Sequence, residues 1–167
     1  MKTAIIYRSL RGTTKQYAEW LHEAIDSDIF NISHVSPDTF KSYDNIIFCS
    51  CVYMGTIAAA GFIKKNWTLL QEKDVILVAV GSVPTEKVTA KEDLGKFPVE
   101  ISGAIKYWKI PGAFSGKDKQ DVRQENLQPV IAHMNGLSSH KLPRLEAVKH
   151  QAGPGVNVAY RIVRSLI

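Results

Sequence analysis

The sequence predicts an α/β fold: a doubly wound, five-stranded parallel sheet with helices on both faces. Short apolar segments alternate with longer segments whose apolar residues recur every three or four positions, as strands and amphipathic helices do in βαβ units. The central apolar runs, AIIY at 4–7 and VILVAV at 75–80, are continuous rather than alternating. Continuous apolar runs are typical of parallel strands that are buried on both faces.

The strands are expected in five places. They cover residues 2–7, 28–33, 45–51, 74–81 and 99–105. Two helices follow from apolar stripes at helical spacing. The first, about 13–26, would bury Tyr17, Leu21, Ala24 and Ile25, and the second, near 58–71, presents Phe62, Ile63, Trp67 and Leu70. An aromatic stripe at this spacing indicates packing against the core rather than a ligand site.

The last third of the chain is predicted less completely. Helical spacing links Leu127, Val130, Ile131, Met134 and Leu137. A closing helix after Gly153-Pro154-Gly155 would bury Ala159, Ile162, Val163 and Leu166. Between them, the residues from about 138 to 152 fit either a strand or a loop. No repeat, low-complexity tract or linker interrupts the chain, so its 167 residues are expected to form a single domain.

The turn after the first strand has the composition of a phosphate-binding loop. Ser9, Thr13 and Thr14 supply hydroxyl groups, Gly12 can adopt a positive φ, and Arg11 carries a cation. A strand that passes through such a turn into a helix directs several backbone N–H groups at one point, together with the positive end of the helix dipole. That point is expected to hold a phosphate.

Two better-known phosphate loops are excluded by their spacing. Nucleotide hydrolases need GxxxxGK[ST] and dinucleotide-binding folds need GxGxxG, and the turn at 8–14 contains neither. With one glycine, and with Lys15 after Thr14 rather than before it, the turn fits one terminal phosphate better than a di- or triphosphate. An ordinary capped βα turn is the alternative, because Thr13 and Gln16 form a T-x-x-Q capping box that marks a helix start without any ligand.

Three loops at the ends of predicted strands resemble the flavin site of flavodoxins. The segment SLRGTT at 9–14 is similar to their phosphate loop, T/S-x-T/S-G-x-T, which wraps the phosphate of FMN. The segment NIIFCSCVYMG at 45–55 is similar to the strand and loop that end in P-x-Y-x-G, and VILVAVGSVP at 75–84 is a third, weaker match. The resemblance spans residues 1–105 and implies a flavodoxin-like fold with FMN as cofactor.

The resemblance also implies which residues hold FMN. Tyr53 would stack on the flavin, Gly55 would be the turn glycine, and Ser82 would lie beside the isoalloxazine edge. The expected cofactor-binding residues are Ser9, Leu10, Arg11, Gly12, Thr13, Thr14, Val52, Tyr53, Met54, Gly55, Ser82 and Val83. Two departures stand out: Arg11 replaces a small hydroxyl residue, and Cys51-Val52 replaces a small residue and proline.

Among flavodoxin-like families, the chain most resembles the menaquinone-dependent protoporphyrinogen oxidase type. The similarity lies in the opening segment, in the Tyr53-Met54-Gly55 loop followed by FIKKNWTLL, and in ISGAIKYWKIP at 101–111. It implies an oxidase of heme biosynthesis that acts with a quinone. In that branch a longer basic insertion follows the region of residue 105, and here it is short and diverged. An FMN-dependent oxidoreductase or small electron carrier, which needs only an exposed flavin edge, is therefore the first expectation.

A flavin-free binding or regulatory module on the same fold is the other class of function. Phospho-receiver domains share the topology, but they need acidic residues at the end of the first strand. This chain has Tyr7, Arg8 and Ser9 there. The visible spectrum of the purified protein would separate the two classes.

The net charge of +5 is unusual for a flavodoxin-like protein. In the segment 106–119, cations alternate with large apolar residues: Lys106, Lys109, Lys117 and Lys119 with Tyr107, Trp108, Ile110 and Phe114. An acidic redox partner protein, steered by the opposite field, is one explanation, and an anionic membrane surface is another. Nucleic acid is the least expected partner because no aromatic-basic motif of a known binding fold is present. A solvated loop with no partner is the remaining interpretation.

The composition predicts a soluble cytoplasmic protein, with peripheral contact to the inner face of the membrane if 106–119 rests on lipid. Arg8 interrupts the N-terminal apolar run, so no secretory leader is expected, and no stretch is apolar for the roughly 18 residues of a membrane span. Cys49 and Cys51 match neither a C-x-x-C redox motif nor a zinc site, and are expected as free thiols. The five histidines lack metal-binding spacing, so no metal site is predicted.

Overall fold

The computed structural model describes residues 1–82, 93–113 and 121–136. The strands within these ranges are β1 (Thr3–Arg8), β2 (Asp28–Asn31), β3 (Asn45–Tyr53), β4 (Thr56–Ile57), β5 (Asp74–Gly81) and β6 (Lys106–Pro111). Five of them are parallel in the order β2-β1-β3-β5-β6, and the short β4 pairs antiparallel with β3. The order changes direction at β1 and β3, as in doubly wound sheets. The predicted fold class is confirmed.

The helices lie on both faces of the sheet. They are α1 (Thr13–Ala24), α2 (Ala60–Lys65), α3 (Trp67–Leu70), α4 (Val99–Ser102) and α5 (Gln128–Met134). Short 3-10 turns cover Ile32–His34, Pro37–Ser42 and Gln124–Leu127. Among the described residues, no helix has the length and apolarity needed to cross a membrane.

Each face of the sheet builds its own apolar core because successive side chains of a strand point to opposite sides. On one face, Ile5, Ile47 and Ile76 are register neighbours across β1, β3 and β5, and all three are fully buried against Tyr17 and Leu21 of α1. On the other face, the alternate residues of the same strands pack against α2, α3 and α4. The central strands are therefore buried on both sides, which explains their continuous apolar runs.

The predicted helices differ from the observed ones at their ends. Helix α1 ends at Ala24, which is exposed, and Ile25 is half-buried beyond the helix. The expected helix at 58–71 is divided in two at Asn66, whose N–H and side-chain amide both donate to the carbonyl of Phe62, at 3.2 and 2.8 Å. The core interpretation of its apolar residues is confirmed, since Ile63 and Leu70 are fully buried.

The predicted fifth strand at 99–105 is wrong. Val99–Ser102 is the helix α4, started by Pro98, and the strand follows at Lys106–Pro111. Val99, Ile101 and Ile105 alternate with other residues in sequence, but Ile101 and Ile105 are also one helical turn apart. The structure buries Ile101 and Ile105 and leaves Val99 77% exposed, which fits the helical period.

The edge strand β6 occupies the segment whose lysines suggested a membrane contact. Lys106 binds Asp74 at 2.6 Å, Ile110 is buried, and Tyr107 and Trp108 pack against the two opposite cores. Lys109 also forms a buried ion pair, described below. These five side chains are therefore engaged within the fold, and the other three members of that set, Phe114, Lys117 and Lys119, lie outside the described residues.

The described C-terminal part docks on α1 through Tyr17. The phenol oxygen of Tyr17 accepts a hydrogen bond from Asn126 Nδ2 at 2.8 Å and one from Arg123 N at 3.3 Å. Helix α5 follows at once, and its Val130 is fully buried, as the spacing predicts. Leu137, the closing helix and the residues between them lie outside the described ranges.

Candidate cofactor site

The carboxyl ends of β1, β3, β5 and β6 meet at one edge of the sheet and enclose a cleft. Its lining residues are Leu10, Arg11, Thr13, Thr14, Cys51, Val52, Tyr53, Val80, Gly81, Ser82, Gly112 and Ala113. Ligands of doubly wound sheets bind at this edge, next to the place where the strand order changes direction.

The turn between β1 and α1 takes a compact conformation that Gly12 makes accessible. Gly12 has φ 91° and ψ −29°, in the left-handed region, and a Cβ added there would meet nothing within 4 Å. Its N–H donates to Oγ of Ser9 at 3.0 Å. Glycine is therefore favoured here by backbone conformation rather than by lack of space.

The start of α1 offers backbone donors to the cleft. Gly12 is the N-cap residue and no side chain caps it, and the first intrahelical hydrogen bond joins Gln16 N to Gly12 O at 2.9 Å. The helix itself thus supplies no acceptor for the N–H groups of Thr13, Thr14 and Lys15. The predicted T-x-x-Q capping box is wrong, because Thr13 is the first helical residue rather than the residue before the helix. An uncapped helix start of this kind favours an anion.

The second loop is a tight β-hairpin. Tyr53 pairs with Thr56, and the two residues between them, Met54 and Gly55, have φ values of 47° and 69°. Positive φ at both central residues is characteristic of a type I′ turn, which matches the twist of the paired strands. Tyr53 lies at the end of β3 on the rim of the cleft and is 49% exposed.

Buried and exposed contacts hold this hairpin in place. Lys96 Nζ donates to the carbonyl of Gly55 in the turn. At the base, the fully buried Ser50 accepts a hydrogen bond from Ala59 N at 3.0 Å and donates to Cys51 O at 3.2 Å. The position of Tyr53 therefore depends on anchors on both sides of the turn.

The far wall of the cleft is formed where two glycines come into close contact. Gly112 N donates to Gly81 O at 2.9 Å, and a Cβ added at Gly112 would lie 2.9 Å from Val80 Cγ1 and 3.1 Å from Gly81 N. Real Cβ atoms essentially never come within 2.9 Å of another side-chain carbon, and 3.1 Å to a backbone nitrogen is tighter than most contacts, so a larger residue at 112 would have to displace Val80 and strain the junction of β5 and β6.

A cluster of titratable side chains lies behind this wall. Lys109 Nζ binds Asp93 Oδ2 at 2.8 Å, and the phenol of Tyr107 donates to the same oxygen. Burial, and then the hydrogen bond to Asp93 and its charge, raise the pKa of Tyr107, so the phenol stays protonated as a donor. Sequence reasoning missed this cluster, because nothing in the spacing of Asp93 and Lys109 indicates that they meet.

Cys51 is the thiol that faces the cleft, whereas Cys49 is fully buried behind it. Burial raises the pKa of both thiols, that of Cys49 to about 12. For Cys51 the rise is opposed by the backbone N–H groups of Leu10 and Cys51 and by the charge of Arg8. The two cysteines are free, as their spacing predicts.

The structure brings most of the expected cofactor-binding residues together. Seven of them line the cleft: Leu10, Arg11, Thr13, Thr14, Val52, Tyr53 and Ser82. Ser9 and Gly12 belong to the first turn and Met54 and Gly55 to the hairpin, whereas Val83 lies outside the described residues. The lining residues that sequence reasoning missed are Cys51, Val80, Gly81, Gly112 and Ala113. Gly112, directly after β6, was the one sequence signal for this side of the cleft. It was not recognised because the fifth strand was predicted too early in the chain.

Across residues 1–82, 93–113 and 121–136, no three His, Cys, Asp or Glu side chains are grouped so that they could hold a metal ion. The described lining of the cleft offers backbone N–H groups, hydroxyl groups and the aromatic ring of Tyr53.

Known proteins with this architecture include flavodoxins. The fold matches oxidised flavodoxin 2 of Bacillus cereus with a TM-score of 0.55 at 18% identity, covering 80% of this chain and 99% of that one. It matches azoreductase AzrA with a TM-score of 0.53 at 10% identity, covering 81% and 100%. At these identities the likeness shows the fold alone.

Comparison by sequence adds a partial relative and a family model. An uncharacterized protein of Methanocaldococcus jannaschii is 39% identical over 56 residues, which are 33% of this chain and only 37% of that protein. A family model described as a flavodoxin domain matches residues 4–107, well over half of the 167-residue chain. The chain therefore belongs to the flavodoxin domain family.

Proposed function

We propose that the cleft binds FMN and that the protein is an FMN-dependent oxidoreductase or electron carrier. The observation that carries the proposal is the meeting of three elements in one cleft: the turn at 9–14, the hairpin that bears Tyr53, and the backbone of Gly81 and Ser82. Family membership supports a flavin as the ligand.

The first turn fits the phosphate end of FMN. Arg11, Thr13 and Thr14 line the cleft at the start of α1, where no side chain caps the helix. A phosphate dianion there would accept hydrogen bonds from groups that the helix leaves without an internal acceptor. The space beside Gly12 is open, so the backbone can approach a ligand closely.

The other end of the cleft fits a flat aromatic ring. Tyr53 presents a half-exposed ring at the rim, Cys51 and Val52 add an apolar floor, and Gly81 adds backbone without a side chain. FMN, when bound, supplies the redox chemistry, so the protein has to bind the cofactor, orient it and control the polarity around it. No catalytic acid, base or nucleophile is required for that task.

Titration of the protein with FMN, followed by visible absorbance, tests the proposal. We expect binding by the natural chain and about 100-fold weaker binding by the double variant Gly12→Val, Thr14→Val. The lost Thr14 hydroxyl removes one hydrogen bond to a charged phosphate, worth about 1.5 kcal/mol, and valine at the positive φ of Gly12 strains the turn by a similar amount, so together they correspond to a loss of that size.

Gly136→Val is the matched control. Gly136 also has a positive φ, 72°, with nothing within 4 Å of an added Cβ, and it does not line the cleft. The control should bear the same backbone strain and keep its FMN affinity. Undiminished affinity in the double variant would remove the turn from the site, and a natural chain that binds no flavin would favour the flavin-free module.

Electron donors and acceptors form the finer part of the proposal. A redox partner protein or a quinone is the partner class we propose; family membership reaches the flavodoxin domain and not its protoporphyrinogen oxidase branch. Anaerobic reduction of the FMN-loaded protein, followed by menaquinone, protoporphyrinogen and nicotinamide donors in turn, separates these roles. Reoxidation by menaquinone with no turnover of protoporphyrinogen would leave an electron carrier or quinone reductase.

A further inference from the structure

The ion pair of Lys109 and Asp93 places two charges in a buried site, where the loss of hydration is unfavourable. Their side chains are only 5% and 6% exposed. Removing ions from water carries a penalty that their attraction offsets only with good geometry and additional hydrogen bonds, one of which Tyr107 provides. The ordinary arrangement occurs three residues earlier on the same strand, where Lys106 and Asp74 pair at the surface with 44% and 35% exposure.

The buried ammonium reaches the wall of the cleft. A Cβ added at Gly81 would lie 3.2 Å from Nζ and 3.4 Å from Cε of Lys109, and Gly81 itself lines the cleft. Because residue 81 has no side chain, the ammonium occupies space beside the wall that a side chain at this position would need. Val52, another lining residue, lies beside the same point, 3.3 Å from the added Cβ.

We propose that the Lys109–Asp93 pair sets the electrostatic potential of this wall and so decides how strongly the cleft prefers reduced over oxidised FMN. The inference rests on the proposed function, since it concerns the same cleft. Lys109 supplies the positive charge, Asp93 determines how much of it is compensated, and Tyr107 in turn holds Asp93. None of the three lines the cleft, so they act on the cofactor through the field at Gly81.

The chemical reason is the charge that reduction adds. Two electrons and one proton, supplied by the redox partner, convert neutral oxidised flavin to a reduced flavin that carries one negative charge on the ring. A buried cation beside the wall stabilises that charge, and it does so strongly because little water screens it. A buried anion in the same place has the opposite effect.

The test is the ratio of the affinities for reduced and oxidised FMN, measured by potentiometric titration of the FMN-loaded protein. We expect Lys109→Met to lower the ratio about tenfold, because Asp93 is then uncompensated. Asp93→Asn should raise it about tenfold, because the ammonium is then uncompensated. A tenfold change is a shift of about 30 mV in the two-electron potential. Structural damage alone would not move the two potentials in opposite directions.

Lys106→Met is the matched control. It removes the same charge and breaks an ion pair on the same strand, but at the far end of the sheet and at the surface. Its ratio should stay within about twofold of that of the natural chain, since exposed charges are screened. Shifts of the same sign for Lys109→Met and Asp93→Asn, or no shift in either, would overturn the inference.

Tyr107→Phe and the double variant keep the test decisive if a single charge variant does not fold. Tyr107→Phe removes only a neutral donor from Asp93, so its carboxylate is less compensated and the ratio should fall about threefold. The double variant Lys109→Met, Asp93→Asn should restore a ratio near that of the natural chain. An unchanged ratio in Tyr107→Phe would contradict the inference, whereas a natural chain without FMN affinity would refute the proposed function instead.

Discussion

Replacing Ser50 by alanine tests how the fold holds the hairpin that carries Tyr53. Ser50 is fully buried at the base of the hairpin, and its hydroxyl accepts the N–H of Ala59 at 3.0 Å. It also donates to the carbonyl of Cys51 at 3.2 Å. Ser50→Ala therefore removes one acceptor and one donor without adding atoms.

The two losses are unequal. The carbonyl of Cys51 keeps a second donor, because it also accepts the N–H of Ala58 at 3.0 Å. The N–H of Ala59 loses its acceptor in a buried site, and an unsatisfied buried donor costs about 1–3 kcal/mol. We therefore expect a loss of about 2 kcal/mol in the free energy of unfolding, or a Tm lower by about 4–8 °C for a chain of this size.

Urea unfolding followed by circular dichroism measures this loss. Ser102→Ala is the control, since Ser102 is a partly buried serine whose hydroxyl donates to Val99 O at 3.2 Å in a solvent-exposed hydrogen bond. Its removal should change the free energy of unfolding by less than about 0.5 kcal/mol. If Ser50→Ala were no less stable than Ser102→Ala, the reasoning that Ser50 holds the hairpin would fail.

Two further predictions concern the hairpin turn and the amino end of the sheet. Met54→Asn should raise the free energy of unfolding by about 1 kcal/mol, because Asn-Gly suits a type I′ turn better than Met-Gly. Met54 has φ 47° and is 86% exposed, so its side chain contributes little packing. An unchanged Tm would contradict this prediction. Burial, and then the hydrogen bond and charge of Asp28, raise the pKa of Tyr43 to about 12 from the ordinary 10.0. Folding thus favours the protonated phenol, and its stabilising effect is complete below pH 10 and is lost as the pH rises from 10 towards 12. Urea unfolding between pH 8 and 11.5 should show a smaller alkaline loss for Tyr43→Phe than for the natural chain, and equal losses would contradict the assignment.

Local composition was enough to predict the elements whose conformation depends mainly on their own residues. Continuous apolar runs identified the central strands, because a parallel strand buried on both faces has no polar side to show. The run 9–14 identified the turn at the start of α1, since hydroxyl groups, one glycine and a following helical stripe are local signals. Gly55 was identified instead through the resemblance to flavodoxins, and the structure gives the physical reason for a glycine there: the two-residue hairpin needs positive φ at that position.

Predictions failed where one local pattern fits two structures. Val99, Ile101 and Ile105 fit a strand by their alternation and a helix by the spacing of the last two. Only packing decided between them, by burying Ile101 and Ile105 together and exposing Val99. Because the fifth strand was predicted at 99–105, Gly112 was not recognised as the residue that follows it. Its contact with Gly81 shapes the wall of the cleft.

The sequence by itself thus determined the doubly wound sheet and its first turn, because burial and turn formation depend on neighbours along the chain, and its resemblance to flavodoxins named seven of the residues that line the cleft. Only the tertiary structure decided which charged side chains form ion pairs and whether those pairs are buried. From the sequence alone, Lys106 and Lys109 are interpreted as solvated cations. In the folded chain they bind Asp74 and Asp93, which lie 32 and 16 residues away in sequence. Whether a charge is buried depends on a partner that only the folded chain brings within reach.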